Sequence, residues 1–250
     1  MVLVAARLYN AKQTPKNIKT KMKTRIATLL IALSALTACS EASFEAHQSF
    51  FYPQKPEGML LYADQTTDTT NVYSLDSWTA TTEGDWFDIS PKECTIPVGM
   101  AKLTHMTLTT TPNLSGVNRS GRMVVKSHDT ISQLVCQCTW LNIIYPFANY
   151  TYEGEEESYA TRKATFSQTL PFDAVETEVR FNTYSSGATL RSDAEWLQPA
   201  ETEFPEAGNY TVKVQVQPNA AKEKRVGRLT LTSAGVSSVI TVEQLPKPEQ

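Results

Sequence analysis

Apolar and polar residues alternate with a period of two through most of the chain beyond residue 58. His105-Met106-Thr107-Leu108-Thr109 and Thr211-Val212-Lys213-Val214-Gln215-Val216 show it clearly, as do the runs Ser132 to Thr139 and Ser237 to Glu243. Period two places alternate side chains on opposite faces of a pleated strand, so these segments predict half-buried β-strands. Long stretches of helical periodicity are absent, and turn-forming residues recur at short intervals. That spacing predicts an all-β, antiparallel sandwich architecture. One segment breaks the pattern: a largely apolar run from Ile26 to Leu36, interrupted only by Thr28 and Ser34 and preceded by Lys19, Lys21, Lys23 and Arg25.

The alternating segments occur twice in the same order. Asn113 leads to Arg119-Ser120-Gly121-Arg122-Met123-Val124-Val125, and Asn219 leads to Arg225-Val226-Gly227-Arg228-Leu229-Thr230-Leu231, with Pro112 and Pro218 in step. Upstream, Gly84-Asp85-Trp86-Phe87 matches Ala194-Glu195-Trp196-Leu197. From tryptophan to asparagine the first copy takes 27 positions and the second 23, which assigns four extra residues to the first, around Cys94 to Gly99. Asn113 to Gly116 and Asn219 to Glu223 are expected as hairpin connections, because Asn and Gly tolerate left-handed backbone. Arg122 and Arg228 are expected on solvent faces. Carrying the asparagine offset onward aligns Leu134 with Ile240 and Cys136 with Val242, making Cys136 a core position. Trp86 and Trp196 recur at matching places and are expected as structural core.

A tryptophan, an alternating strand ending in Pro-Asn, an Arg-x-Gly-Arg strand and a Val-rich strand ending near Gln together resemble the BACON domain (Bacteroidetes-associated carbohydrate-binding, often N-terminal). Gly84-Asp85-Trp86-Phe87-Asp88-Ile89-Ser90-Pro91 and Val242-Glu243-Gln244 match that pattern best. The resemblance implies two tandem immunoglobulin-like antiparallel β-sandwiches, over residues 55–142 and 166–250, with 143–165 as a linker. The copies differ by the insertion, by Cys136-Gln137-Cys138, and by Ala188 where the first has Trp78.

The N-terminal run is eleven residues long, well short of the roughly 20 that span a bilayer. A basic flank, a short apolar core and small residues before a cut site describe a signal peptide over residues 1–38. Met22 is an alternative start, giving a compact flank in Met22-Lys23-Thr24-Arg25. Leu36-Thr37-Ala38-Cys39 resembles the lipobox of bacterial lipoproteins, which implies lipidation at Cys39 and attachment to the outer membrane through the lipid. The cell surface is the expected face, with the periplasmic face as the alternative. Residues 39–54 are expected as a lipidated tether. Seven of the 23 basic residues and none of the 26 acids lie in 1–38, so the remaining chain carries 16 bases and a charge of −10. Such a surface repels phosphate backbones, and no nucleic-acid partner is expected.

Export permits disulfides. A bond from Cys94 to Cys136 or Cys138 is one option; buried free thiols are the other. His47, His105 and His128 fall in no metal-ligand spacing, and no nucleophile motif or phosphate loop occurs. No cofactor, metal or catalytic residue is therefore expected, and hydrolysis is kept only as a remote option. Binding is the leading expectation, since sugar C–H faces stack on aromatic rings. Trp78, Trp140, Tyr150, Tyr152 and Tyr184 are the candidate contacts for a glycan or glycoprotein. The alternative is a structural spacer or assembly module that binds envelope proteins.

Overall fold

The structure is a computed structural model that describes residues 46–55, 58–144 and 162–249, with residues 148–152 described by their backbone. The signal peptide, Met22 and Cys39 lie outside the described residues. In the first sandwich the strands are β1 (Ser49–Tyr52), β2 (Met59–Leu61), β3 (Thr67–Ser74), β4 (Trp78–Glu83), β5 (Phe87–Ser90), β6 (Glu93–Cys94), β7 (Lys102–Thr110), β8 (Arg119–Lys126) and β9 (Thr130–Gln137). They form two facing sheets, β1-β3-β7-β5 and β2-β9-β8-β4-β6. The second sandwich holds β10 (Asn142–Ile144), β11 (Ala148–Tyr152), β12 (Arg162–Leu170), β13 (Glu176–Thr183), β14 (Ala188–Ser192), β15 (Leu197–Pro199), β16 (Glu203–Phe204), β17 (Gly208–Val216), β18 (Arg225–Ser233) and β19 (Val236–Gln244). Its sheets are β10-β13-β17-β15 and β11-β12-β19-β18-β14-β16. These are two immunoglobulin-like β-sandwiches, strand for strand equivalent, with β11 as an addition in the second. Each has one parallel pair, β2 beside β9 and β12 beside β19.

Three expectations change. Residues 143–165 are not a plain linker, because β10 is an edge strand on β13 and β11 pairs with β12. The tether does not run to Gln54, because β1 pairs with β3 and buries Phe51. Asn113 to Gly116 and Asn219 to Glu223 do not join hairpins. β7 and β8 lie in opposite sheets, as do β17 and β18, so these segments cross between layers.

Register explains the motifs. Gly121 faces Val135 across the β8–β9 ladder, while Gly227 faces Val242 across β18–β19. The closing strands are thus offset by one residue more than the strands before them. The second copy turns through Ala234 and Gly235, both at positive φ, and has four residues between Thr232 and Ser237 where the first has three between the equivalent Lys126 and Thr130. Cys136 therefore corresponds to Glu243 rather than to Val242. It lies on the face away from the Val135 core, yet it is fully buried.

The core of each sandwich is filled by the inward residues of both sheets. Trp78 is 3% exposed and sits in the first core. Its cross-strand partner is Cys94; at the same place in the second copy Ala188 faces Phe204. The large and small members of the pair have exchanged strands, so the pair keeps its volume, as dense packing requires.

The two sandwiches share a packed junction. Ala63, Cys138, Trp140 and Leu141 belong to the same hydrophobic cluster as the second core. Asp64, with no exposed surface, accepts hydrogen bonds at Oδ2 from the Tyr184 backbone N–H at 2.9 Å and the Ser233 hydroxyl at 2.8 Å. The Ser185 hydroxyl donates to the Asp64 carbonyl at 3.0 Å, and the Leu141 N–H donates to Ser238 Oγ at 3.0 Å. Tyr62 and Tyr184 stack with centroids 5.7 Å apart. A buried carboxylate bridging two domains holds them together only while its donors are present. Asp64→Ala leaves the Tyr184 and Ser233 donors unpaired and is expected to cost about 1–3 kcal/mol. In scanning calorimetry the variant should resolve two transitions where the parent chain shows one.

Candidate functional site

The repeated motif residues meet in one place in each copy, and what they build is scaffold. The Arg119 guanidinium donates from Nε and Nη2 to Gln137 Oε1, at 2.9 and 2.6 Å, and lies over the Trp86 ring, 4.7 Å from its centroid. Gln137 Nε2 donates to the Gln65 carbonyl at 2.9 Å, tying β9 to the segment after β2. Asn113 is buried, and its Nδ2 donates to the carbonyls of Val117, Gln137 and Cys138. The second copy repeats this. Arg225 Nε donates to Gln244 Oε1 at 2.9 Å and stacks 4.4 Å from the Trp196 centroid. Gln244 donates to Phe172 O at 3.1 Å, and Asn219 to Glu223 and Leu245.

The glycine of Arg-x-Gly-Arg is fixed by close approach. A Cβ on Gly121 would lie 2.3 Å from the Glu83 carbonyl oxygen, and one on Gly227 would lie 2.9 Å from the Trp196 ring. Trp86 and Trp196 are only half-buried at the edges of the cores, each capped by its arginine. Burial lowers the pKa of both Arg119 and Arg225 from its ordinary value. Arg122 and Arg228 are exposed, as their strand positions require.

Most of the expected aromatic contacts are not available to a ligand. Trp78 fills the first core, Trp140 is 5% exposed in the junction cluster, and Tyr184 is half-buried on Tyr62. Burial raises the Tyr184 phenol pKa. The side chains of Tyr150 and Tyr152 lie outside the described residues.

Among the described residues Cys94, Cys136 and Cys138 are free and buried, so the Cys94 disulfide option is not realised. Cys94 belongs to the first core and Cys138 to the cluster of the second. Burial pushes the Cys136 thiol up to about 12 and Cys138 higher still. His47 Nδ1 is 2.9 Å from Asp76 Oδ1, and its ring stacks on His128 at 3.7 Å. Among the described residues no cluster of three or more His, Cys, Asp or Glu is placed to hold a metal.

The candidate surface is the solvent face of the sheet β1-β3-β7-β5, at its β1 end. Two rows cross three strands there: Phe50, Tyr73 and Leu103, then Tyr52, Asn71 and His105. The Phe50 and Tyr73 rings stack with centroids 4.9 Å apart. Tyr52 is 56% exposed and Leu103 52%. His105 Nδ1 is 3.1 Å from Asn71 Oδ1, while Asn71 Nδ2 donates to the Tyr52 carbonyl at 3.1 Å. No carboxylate stands in either row.

The second copy provides a control for what the fold itself needs. Its equivalent rows read Asn142, Asn182, Asn209 and Ile144, Arg180, Thr211. The same sheet therefore folds with Asn142 and Asn182 at the places of Phe50 and Tyr73, Ile144 at that of Tyr52 and Thr211 at that of His105. Sequence reasoning missed this surface because its residues come from three separated segments, one of which was assigned to the tether.

The BACON family, whose description reads "Putative binding domain, N-terminal", matches residues 184–245, all within the second sandwich. No curated protein matches the chain. Among solved structures, the chain is similar to a Bacteroides ovatus GH5 xyloglucanase in complex with a XXXG heptasaccharide, at 14% identity and a TM-score of 0.29, over 34% of this chain and 18% of the enzyme. A protein of unknown function from Porphyromonas gingivalis W83 is similar at 8% identity and a TM-score of 0.28, over 79% of this chain and 99% of its own. The Dpr2 Ig1-Ig2 complex with DIP-Theta Ig1-Ig3 is similar at 12% identity and a TM-score of 0.28, over 80% and 65%.

Two outcomes test this division of roles. Arg119→Lys loses the planar fork on Gln137 and the ring stack, and is expected to destabilise the fold by about 1–2 kcal/mol in denaturant titration. The thiols should resist alkylation at pH 8 until the chain is denatured. Because burial raises the pKa of Cys136 and Cys138, these two contribute stability that is complete below about pH 9, the unfolded value, and is lost as pH rises toward about 12. The unfolding midpoint should therefore fall across that range, and fall less in a Cys136→Ser variant.

Proposed function

We propose that this protein is a lipid-tethered, non-catalytic module of the bacterial outer envelope that binds a surface glycan or glycoprotein through the Phe50–Tyr52–Tyr73 face. One observation carries the reading. The first sandwich displays aromatic rings where its own duplicate shows that the fold does not require them. An exposed ring that packing does not explain is a mark of recognition. Tyrosine suits a sugar, because the ring gives an apolar stacking surface and the hydroxyl a polar tip. Asn71 and His105 stand beside the rings as hydrogen-bonding groups for sugar hydroxyls. The rows lack a carboxylate, which suits holding rather than cutting. The family match in the second sandwich, to a binding domain, points the same way.

A second reading is favoured by the junction. Asp64 and the shared cluster fix the two sandwiches to each other, as a rigid spacer needs. Under that reading the chain holds a partner module at a set distance from the membrane.

Glycan-array and affinity-gel measurements on residues 46–250 separate the two. The glycan reading expects binding that Tyr52→Ala and Tyr73→Ala each weaken about tenfold, the scale of a 1–2 kcal/mol contact, with the melting temperature retained in the exposed Tyr52 variant. Binding that survives both changes and is lost in Tyr152→Ala would move the site to β11. Absence of binding across neutral and acidic glycans would leave the spacer.

A further inference from the structure

We propose that the turn Pro97–Met100 is a membrane-contacting tip, whose Val98 and Met100 side chains enter the lipid interface beside the acylated N-terminus. The four-residue insertion of the first copy lies here. Residues 95–101 connect β6 to β7, whereas 205–207 suffice between β16 and β17. The extra residues build a defined turn: Met100 N–H donates to the Pro97 carbonyl at 3.1 Å, and Gly99 takes φ +77° at its third position. The turn is pinned from below. Ile96 is buried, its N–H donates to Ser77 Oγ at 2.9 Å, and the Ser77 hydroxyl donates back to the Ile96 carbonyl at 3.2 Å. This rigid base holds Val98 at 93% exposure and Met100 at 58%, with Leu103 beyond them at 52%. The shorter connection of the second copy offers Pro205, Glu206 and Ala207 instead.

Position identifies the partner as a lipid surface. Ser77, which pins the turn, adjoins the place where the chain enters the sandwich: Leu75 N–H donates to the Gln48 carbonyl at 3.0 Å, and His47 meets Asp76. The junction with the second sandwich is at the opposite end of the same strands, around Asp64, Asn113 and Leu141. Ala46 lies seven residue steps after Cys39, and so few steps reach at most about 25 Å when fully extended. An acyl group on Cys39 therefore keeps this end of the sandwich, and this turn, close to the bilayer. The inference rests on that acylation.

Charge does not explain the contact. Lys102 and Lys126 stand nearby, but so do Asp76 and Asp129, and the processed chain carries −10. Adhesion here is by apolar insertion, in the manner of an interfacial anchor, and not by a basic patch. Acyl chains and tip together give two points of attachment. They hold the Pro97–Met100 turn at the membrane and keep Leu103, the last member of the Phe50–Tyr73–Leu103 row, near it.

The test uses the full acylated chain in phosphatidylethanolamine–phosphatidylglycerol vesicles, with acylation read by mass spectrometry. An environment-sensitive fluorophore is placed through Val98→Cys, or through Lys222→Cys at the far end of the second sandwich as a control; the buried native thiols stay unlabelled. Position 98 should show a blue shift and quenching by headgroup-region lipid quenchers, both retained in high salt, while position 222 should show neither. An acylated, vesicle-bound chain whose two labels behave alike would overturn the tip and leave the tether standing. An unacylated Cys39 would remove the tether reading and the tip with it.

Discussion

Everything in either sandwich depends on a glutamine side chain that closes it. On one side of the amide Gln137 accepts the Nε and Nη2 donors of Arg119, and Gln244 accepts Nε of Arg225; on the other side each donates to backbone carbonyls near the start of its sandwich. A planar amide satisfies both demands at once. It ties the last strand to the segment that follows β2 or β12, and so stabilises the parallel pairing of β2 with β9 and of β12 with β19. The arginine then has one place to lie, over the tryptophan, and the glycine two residues on must lack a side chain so that the ring and strand can approach. Trp, Asn, Arg, Gly and Gln are thus one mechanical unit written at five points of the chain. Their repetition reports a shared fold.

That unit is also why so much of the fold was legible. Large, chemically distinctive residues at a constant spacing show through a chain that otherwise reads as Thr, Val and Ser. What the sequence did not reveal has a physical cause in each case. A two-residue turn at Ala234-Gly235 shifted the closing strand by one, which turned Cys136 to the other face. Pro-Asn followed by polar residues reads like a hairpin, but the asparagine amide is consumed by backbone carbonyls and the chain crosses to the opposite sheet. Ser49 to Tyr52 is too short to announce itself as a strand, although it carries two of the rings that matter. Tryptophan exposure was not legible at all. Trp78 is inside because Cys94 opposite it is small, and Trp140 is inside because a second sandwich packs over it.

Duplication separates what the fold demands from what is added to it. The lock, the core volume and the register are common to both copies. The rows Phe50–Tyr73–Leu103 and Tyr52–Asn71–His105, the turn at Val98 and the strand β11 belong to one copy each. The aromatic rows and the apolar turn lie at the end of the first sandwich where the chain enters, and the second sandwich is held rigidly at the other end.

The most direct measurement is a nuclear magnetic resonance titration of isotopically labelled residues 46–250 with glycan oligosaccharides. Shifts confined to Phe50, Tyr52, Asn71, Tyr73, Leu103 and His105, with Asn142, Asn182 and Asn209 unmoved, are the expected result. Shifts centred on the second sandwich, or on the Trp86–Arg119–Gln137 unit, would contradict it.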